Sequence, residues 1–346
     1  MSVKQEHIPV FYEGQDDLVD ILATSMASVC YNTKSFIEFY ILDCGICDFN
    51  KKLLENMNEK FNNFSIKFIP IDLTQFAGLR GWGSGNFVDC YSRLLIPDLK
   101  LNYDKVIYLD TDMIALDDIK KLYDIELEDY PYAATPELGC NDYIFNNCIN
   151  NLGIDKKHIY PSAGMLVLNL KKIKSSEKLI KICREYNDKL IVFNEEIFSI
   201  AFGCNNYKKL DLRFNMADRI NNIKNVNAPE ITDEYVENEF KHIVLQHLTP
   251  TKPWKFLYSE NRRPLRNIWA FWHFAKMTPF YEGMQNRYLW FMTENIVYNS
   301  MNTVRYKSQN IVKLFGFIPI LSVHCKGNKR KYKLFNLIPL LTIKEK

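Results

Sequence analysis

The stretch Lys105-Val-Ile-Tyr-Leu-Asp-Thr-Asp112 decides how the chain reads. A short run of strand-forming, mostly apolar residues leads straight into two carboxylates separated by one residue. Such a run is typical of a strand buried on both faces in a parallel sheet. Ligands of α/β sheets gather at the carboxyl ends of the strands. Asp110 and Asp112 stand at such an end. Two carboxylates so spaced can converge on one hard divalent cation, Mg²⁺ or Mn²⁺, usually shared with substrate phosphates. A lone Asp-x-Asp is more often a solvated turn; here the strand before it favours a metal site.

The flanking sequence supports a layered fold. Residues 8–12 are short and apolar, and 16–31 carry helical spacing through Leu18, Ile21, Leu22, Ser25, Met26 and Val29. Residues 36–42 and 65–71 read as strands, 51–61 and 91–96 as helical. Farther on, 132–135, 163–170 and 242–246 read as strands, and 171–188 as a helix. Residues 205–235 read as an Asn- and Asp-rich loop, and 263–302 as aromatic helix. This alternation predicts an α/β layer around a mostly parallel sheet. The expected organisation is one nucleotide-binding, Rossmann-like domain over 1–275, a helical extension over 276–304, and a basic amphipathic tail over 305–346.

Composition bounds the class. The chain has 346 residues, 47% apolar and 25% charged, which suits a globular protein and excludes general disorder. The net charge of +3 is a sum of unlike parts. Residues 305–346 hold ten Lys/Arg and one acid, or +9, which leaves −6 on the remainder. The tail also repeats itself. Lys313-Leu-Phe-Gly-Phe-Ile-Pro-Ile-Leu321 returns as Lys333-Leu-Phe-Asn-Leu-Ile-Pro-Leu-Leu341, identical at six of nine positions and offset by twenty residues. Nine scattered cysteines argue for reduced thiols in a cytosolic protein, and Cys44-Gly-Ile-Cys47 reads as incidental rather than redox or zinc-binding. Neither a signal peptide nor a membrane-spanning apolar run is evident.

A second signal is Val244-Leu-Gln-His247-Leu-Thr-Pro-Thr-Lys252-Pro-Trp254. A His at a strand end can complete a metal site begun by two Asp, and a Lys five residues on can face phosphates held by the same metal. The competing reading is a core His before a Pro-rich turn anchored by Trp254. For either motif alone, that plainer reading is favoured.

Together the motifs resemble a family. In order, the Lys105-to-Asp112 run, Ser162-Ala-Gly-Met-Leu-Val-Leu-Asn-Leu-Lys-Lys172 and the His247-to-Trp254 segment are similar to the retaining, metal-dependent nucleotide-sugar glycosyltransferases. These include the bacterial lipooligosaccharide galactosyltransferases, the lipopolysaccharide glucosyl- and galactosyltransferases, and glycogenin. Cys90-Tyr-Ser-Arg93-Leu94 and Phe39-Tyr-Ile-Leu-Asp43 add to the likeness, which covers roughly residues 8–275. It implies Mn²⁺ (or Mg²⁺) on Asp110, Asp112 and His247, and a UDP-sugar donor carrying galactose or glucose. Lys252 would meet the diphosphate, and Arg93 would lie near the donor sugar. Phe11, Tyr12 and Asp16, with Asp110 and Thr111, would belong to the nucleotide site. The acceptor would be an oligosaccharide or lipid-linked glycan of the lipopolysaccharide or lipooligosaccharide core.

The chain departs from the family at four places. The uridine-binding segment reads Phe11-Tyr-Glu13-Gly-Gln15-Asp16-Asp17. Ser162 replaces the usual Asn, and a Gly is missing between His247 and Lys252. Asn194-Glu195-Glu196 stands where relatives carry Asp-Gln. Retention proceeds through a covalent glycosyl-enzyme or a front-face exchange, and a carboxylate at the Gln position can serve as nucleophile in the first. Glu195 is therefore expected to stabilise or attack the anomeric centre, and Asn194 to contact sugar hydroxyls. The plainer reading makes the two glutamates a solvated helix start. Glu137 falls near a further acidic position of the relatives.

Two other functions compete. One is a non-catalytic sugar-nucleotide- or membrane-binding module of the same fold. The other is a metal-dependent phosphohydrolase or nucleotidyltransferase, for which the sequence lacks extra carboxylates or a phosphate loop near the first strand. Gly78-Leu-Arg-Gly-Trp-Gly-Ser-Gly85 suits a lid or a plain surface loop equally. The tail's charges and its Phe315, Phe317, Phe335 and Leu337 suit an anionic membrane surface. No nucleic-acid module accompanies them, so nucleic acid is not an expected partner. The alternative is that the repeats fold back on the catalytic domain or mediate oligomerisation. The expected location is cytoplasmic, peripheral at the inner face of the cytoplasmic membrane.

Overall fold

The computed structural model describes residues 7–81, 87–137, 142–191, 193–217, 228–249, 252–255, 268–303, 309–314, 318–326, 329–334 and 338–344. Part of the glycine-rich run (82–86) and Phe315, Phe317, Phe335 and Leu337 lie outside the described residues. The chain forms two compact units. The first comprises Met1–Thr251 and Leu265–Tyr281, the second Lys252–Pro264 and Glu282–Lys346.

The first unit opens with β1 (His7–Gly14), α1 (Val19–Asn32), β2 (Phe36–Asp43), α2 (Asp48–Glu55) and β3 (Phe64–Pro70). Next come β4 (Lys105–Leu109), β5 (Met113–Ala115), α3 (Lys120–Tyr123), β6 (Tyr132–Ala134), α4 (Asp142–Leu152) and β7 (Met165–Asn169). It continues through α5 (Glu177–Glu185), α6 (Asn194–Phe202), β8 (Lys208–Lys209), β9 (Met216–Ala217), α7 (Asp233–Glu239), β10 (Leu245–His247) and α8 (Ile268–Ala275). Seven strands form a sheet in the order β3-β2-β1-β4-β7-β6-β8. β3, β2, β1 and β4 are parallel neighbours, whereas β7 runs antiparallel to β4 and to β6. The expected α/β fold with a mostly parallel central sheet is thus present. Val106 to Leu109 are fully buried, as their continuous apolar run requires. Phe11, Tyr40, Tyr91, Tyr108 and Tyr132 belong to the large core cluster.

A second, three-stranded sheet, β5-β10-β9, meets the first at the Asp-x-Asp turn. β4 and β5 flank that turn and belong to different sheets, so Asp110 and Asp112 lie at the seam.

Some local expectations change for physical reasons. The helix read over 91–96 is part of a 3-10 run, Val88–Leu99, containing Pro97. Proline lacks the donor that an α-helical turn needs. The helix read over 171–188 shortens to α5. Before it, the Asn169 side chain accepts from Lys171 N–H at 3.1 Å and its carbonyl from Lys172 N–H at 3.0 Å, which holds the chain in a turn. The loop read over 205–235 contains β8, β9 and the start of α7 among its described residues.

The second unit contains most of α9 (Tyr281–Thr303) and the strands β11 (Gln309–Leu314), β12 (Ile318–Lys326), β13 (Lys329–Leu334) and β14 (Ile338–Lys344). These strands form one antiparallel sheet in sequence order. Each repeat copy spans a hairpin. Lys313 pairs with Pro319 and Lys333 with Pro339, each just past a register shift. Proline is accepted in sheets at such bulges, which accounts for its recurrence in both copies. No described helix is long and apolar enough to cross a membrane.

Candidate active site

The seam between the sheets builds the site. β10 pairs antiparallel with β5, placing His247 opposite Met113, and Leu248 N–H bonds the Asp112 carbonyl at 2.9 Å. His247 Nε2 consequently lies 3.1 Å from Asp112 Oδ1 and 3.9 Å from Asp110 Oδ2. One ligand atom from each of Asp110, Asp112 and His247 lies within 4.8 Å of the others. Thr111 is half-buried between the two aspartates. Two carboxylates and an imidazole fit a divalent cation, and the backing of the imidazole by Asn215 completes the fit. Gly164 stands directly against this cluster. A Cβ there would fall 2.5 Å from His247 Cε1 and 3.1 Å from Asp110 Oδ2.

Arg93, on the 3-10 run, is buried and fully engaged. Its Nη2 lies 3.0 Å from Asp110 Oδ1, its Nη1 donates to the Ala163 carbonyl at 2.7 Å, and its Nε donates to the Cys90 carbonyl at 3.2 Å. The guanidinium also stacks on Tyr108, 4.2 Å from the ring centroid, while Tyr108 Oη donates to Asp110 Oδ1 at 3.0 Å. Burial works against the Arg93 charge, but Asp110, Tyr108 and Glu13 more than offset it, so the group stays cationic.

The two glutamates at the start of α6 have separate roles. Glu196 is fully buried and reaches back, its Oε2 accepting from Ile191 N–H at 2.7 Å and from Phe193 N–H at 3.1 Å. Phe193 takes φ +61°, in the left-handed region that a bulky side chain avoids. Glu196 thus secures a strained turn at the head of α6. Glu195 instead faces the site, its Oε1 accepting from Ala163 N–H at 3.3 Å. Burial, then the charge of Glu137, push its carboxyl up to about 8, against the backbone hydrogen bonds and Arg93. Neither glutamate is part of a freely solvated helix start. Asn194 is buried, its Nδ2 donating to the Cys90 carbonyl at 3.0 Å. Its Oδ1 is buried without a hydrogen-bond partner among the described residues. Glu137 N–H bonds the Tyr160 carbonyl at 2.8 Å, next to the bridge between Pro136 and Pro161.

The structure brings Asp110, Asp112, His247 and Arg93 together, with Glu195 linked through Ala163. Phe11 stacks on Tyr40, centroids 4.8 Å apart, and Tyr12 Oη bonds Ser25 Oγ at 2.8 Å, both side chains fully buried. Asp16 Oδ1 accepts from Cys47 N–H and Asn50 Nδ2, each at 2.9 Å, tying the start of α1 to α2 and lowering its pKa. Lys252 belongs to the second unit, where its ammonium lies 5.8 Å from the Trp254 ring centroid. Cys44 and Cys47 are free thiols.

Asn215 and Asp89 were not singled out by sequence. Asn215 sits in the Asn-rich segment, where nothing distinguishes it from its neighbours. Asp89 is buried and acts on Glu13, at the end of β1, as a neighbouring carboxyl. Burial and then Asp89 push the Glu13 carboxyl well up, and Gln15 Nε2 donates to Glu13 Oε1 at 2.9 Å. An acid closing the apolar run of β1 was the visible signal for Glu13.

Comparison with known proteins agrees with this geometry. The model of glycosyl transferase family 8 matches residues 9–257. The chain is 26% identical over 274 residues to glycosyltransferase GlyA of Streptococcus pneumoniae serotype 4 (strain ATCC BAA-334 / TIGR4), covering 78% of this chain but only 35% of GlyA. A putative glycosyltransferase of Haemophilus influenzae (strain ATCC 51907 / DSM 11121 / KW20 / Rd) is 27% identical over 241 residues, 66% of this chain and 71% of its own length. Among solved structures, the galactosyltransferase LgtC in complex with donor and acceptor sugar analogs shares the fold with TM-score 0.64 and 21% identity, over 79% of this chain and 96% of LgtC. The bifunctional glycosyltransferase WbbM shares it with TM-score 0.67 and 20% identity, over 83% of this chain and 52% of WbbM. With the family match spanning most of the chain and the Asp110, Asp112 and His247 cluster at the strand ends, the chain belongs to glycosyl transferase family 8.

Proposed function

We propose that the chain is a retaining hexosyltransferase that moves galactose or glucose from a UDP-sugar to a glycan acceptor. The acceptor would be a lipopolysaccharide or lipooligosaccharide core or another lipid-linked glycan, met at the inner face of the cytoplasmic membrane. The observation that carries the reading is the convergence of Asp110, Asp112 and His247 at the carboxyl end of β4. These residues would hold Mn²⁺ or Mg²⁺, the imidazole favouring the transition metal. When bound, the cation neutralises charge on the departing diphosphate.

The chain's own residues do the remaining work in this reading. Arg93 fixes Asp110 through its 3.0 Å contact and adds positive charge beside the donor. Lys252 is taken as the cation for the diphosphate. Phe11 and Tyr12 shape the nucleotide end from the core, Asp16 does so from the exposed turn before α1, and Thr111 joins them at the Asp-x-Asp turn. The unpartnered Asn194 Oδ1 supports a contact with a sugar hydroxyl, which would satisfy it. A carboxyl protonated up to about pH 8 is a poor nucleophile at neutral pH, so Glu195 favours a front-face exchange in which it donates a hydrogen bond.

Incubation with Mn²⁺ and a panel of UDP-sugars, followed by anomeric analysis of the product, tests the proposal. Release of UDP with transfer of an α-linked hexose is expected. Donor binding without turnover would favour the non-catalytic module, and release of monophosphates would favour a phosphohydrolase or nucleotidyltransferase.

A further inference from the structure

The tail's sheet sorts its charges by register. β12 and β13 place Ser322 opposite Lys333, His324 opposite Lys331 and Lys326 opposite Lys329. β14 extends the rows with Lys344 opposite Lys329 and Thr342 opposite Lys331. β11 adds Gln309 opposite His324 and Ile311 opposite Ser322. Strand positions alternate between faces, and directly opposed positions share one. One face therefore contains the positions of Lys313, Lys326, Lys329, Lys331, Lys333 and Lys344. The other contains those of Val312, Leu321, Val323, Tyr332, Leu341 and Ile343, with Arg330 its one basic position among the described residues. Tyr332 is buried, which marks its face as the packed one.

We infer that the lysine face of this sheet docks flat on the phosphate headgroups of an anionic bilayer. Lys326, Lys329 and Lys344 form a row across three adjacent strands, and like charges directly opposed are destabilising until counter-charge arrives. The face is built from lysines, compact point charges suited to dispersed phosphates rather than to planar bidentate recognition. None of its described positions is Phe, Tyr or Trp, so it provides no base-stacking platform for single-stranded nucleic acid. The residues before 305 sum to −6, so the attraction resides in the tail. The inference rests on the proposed function only in that a lipid-linked acceptor gives the docking a purpose.

The test is sedimentation of the full chain with vesicles of phosphatidylglycerol and phosphatidylcholine, against phosphatidylcholine alone, at low and high salt. Binding to the anionic vesicles alone, lost at high salt, is expected. The combined Lys329→Ser, Lys331→Ser and Lys333→Ser variant should lower the partition coefficient by about a hundredfold. Arg330→Ser, on the other face, should lower it only a few-fold. Thermal unfolding of both variants checks that the sheet survives, and the wild-type salt response stands independently of them. Equal binding to neutral vesicles, binding insensitive to salt, or equal losses in the triple variant and Arg330→Ser would overturn the inference. So would complete displacement from vesicles by duplex DNA at equal phosphate concentration. UDP release is assayed in parallel without vesicles. Its absence would defeat the enzymatic proposal and leave vesicle binding standing.

Discussion

His247 Nδ1 lies 3.1 Å from Asn215 Oδ1, while the same ring turns Nε2 to within 3.1 Å of Asp112 Oδ1. With the Asn215 oxygen accepting, Nδ1 carries the proton and Nε2 keeps its lone pair for a metal. Strand pairing enforces the arrangement, since β10 lies between β9, which follows Asn215, and β5, which follows Asp112. Asn215→Ala should therefore raise the Mn²⁺ concentration needed for half-maximal UDP release by roughly 10–100-fold. Turnover at saturating Mn²⁺ should change far less. His247→Ala removes a ligand outright and should abolish metal-dependent release at any concentration tried. A metal titration of both variants separates the orienting residue from the ligand.

Gly164 makes a sharper demand. An added Cβ would meet His247 Cε1 at 2.5 Å and Nδ1 at 2.9 Å, closer than such contacts permit. The imidazole cannot yield without leaving Asn215 or Asp112. Gly164→Ala is expected to cost about 1–3 kcal/mol in stability, as overpacking does. Its Mn²⁺ response should weaken as in Asn215→Ala. Thermal unfolding together with a Mn²⁺ titration reads both effects.

Much of this was legible in the chain because single residues carried it. The apolar run before Asp110 specified a buried central strand, and a His at the end of a short strand, His247, marked the second arm of the metal cluster. What escaped depended on contacts between distant segments. Asn215 is one of many Asn in a polar stretch, and only the pairing of β9 with β10 brings it to His247. The division of labour between Glu195 and Glu196 follows from a left-handed Phe193 that no local pattern announces. The tail's sheet was missed for another reason. Pro319 and Pro339 recur at the same place in the two repeat copies, yet only strand register shows each beside a bulge.

Glu195 should make its mark in pH dependence. Its carboxyl is held up at about 8 in the folded chain, against an ordinary 4.5. Below about pH 4.5 both folded and unfolded states keep the proton, and the group contributes its full stability. As pH rises toward 8 the unfolded chain releases a proton that the fold retains, so that contribution is progressively lost. Glu195→Gln removes the titration. The variant's melting temperature, relative to wild type, should climb between about pH 4.5 and 8 and level off above. Its turnover at neutral pH should stay near normal, and the alkaline fall in wild-type rate near pH 8 should flatten. A collapse of turnover in Glu195→Gln, with trapping of a glycosyl-enzyme in the wild type, would instead establish Glu195 as the nucleophile.

Glu196 should behave in the opposite way, although it is adjacent in sequence. Its carboxylate accepts from two backbone N–H groups, those of Ile191 and Phe193, and is fully buried. Glu196→Ala leaves those donors without their acceptor, and a buried unsatisfied group costs about 1–3 kcal/mol. It also frees Phe193 to leave its left-handed conformation, which would rotate the head of α6 and carry Asn194 and Glu195 with it. The variant should unfold at lower temperature across the whole pH range and lose turnover through misplacement of those two side chains. Glu196→Gln keeps one acceptor oxygen and should recover most of the stability and part of the rate. Unfolding and UDP-release measurements on both substitutions at each glutamate give four comparisons. Loss of stability following position 196, with altered pH response following position 195, is the expected pattern. A stability loss confined to the Glu195 variants would mean that the cap at the head of α6 is made by the other glutamate.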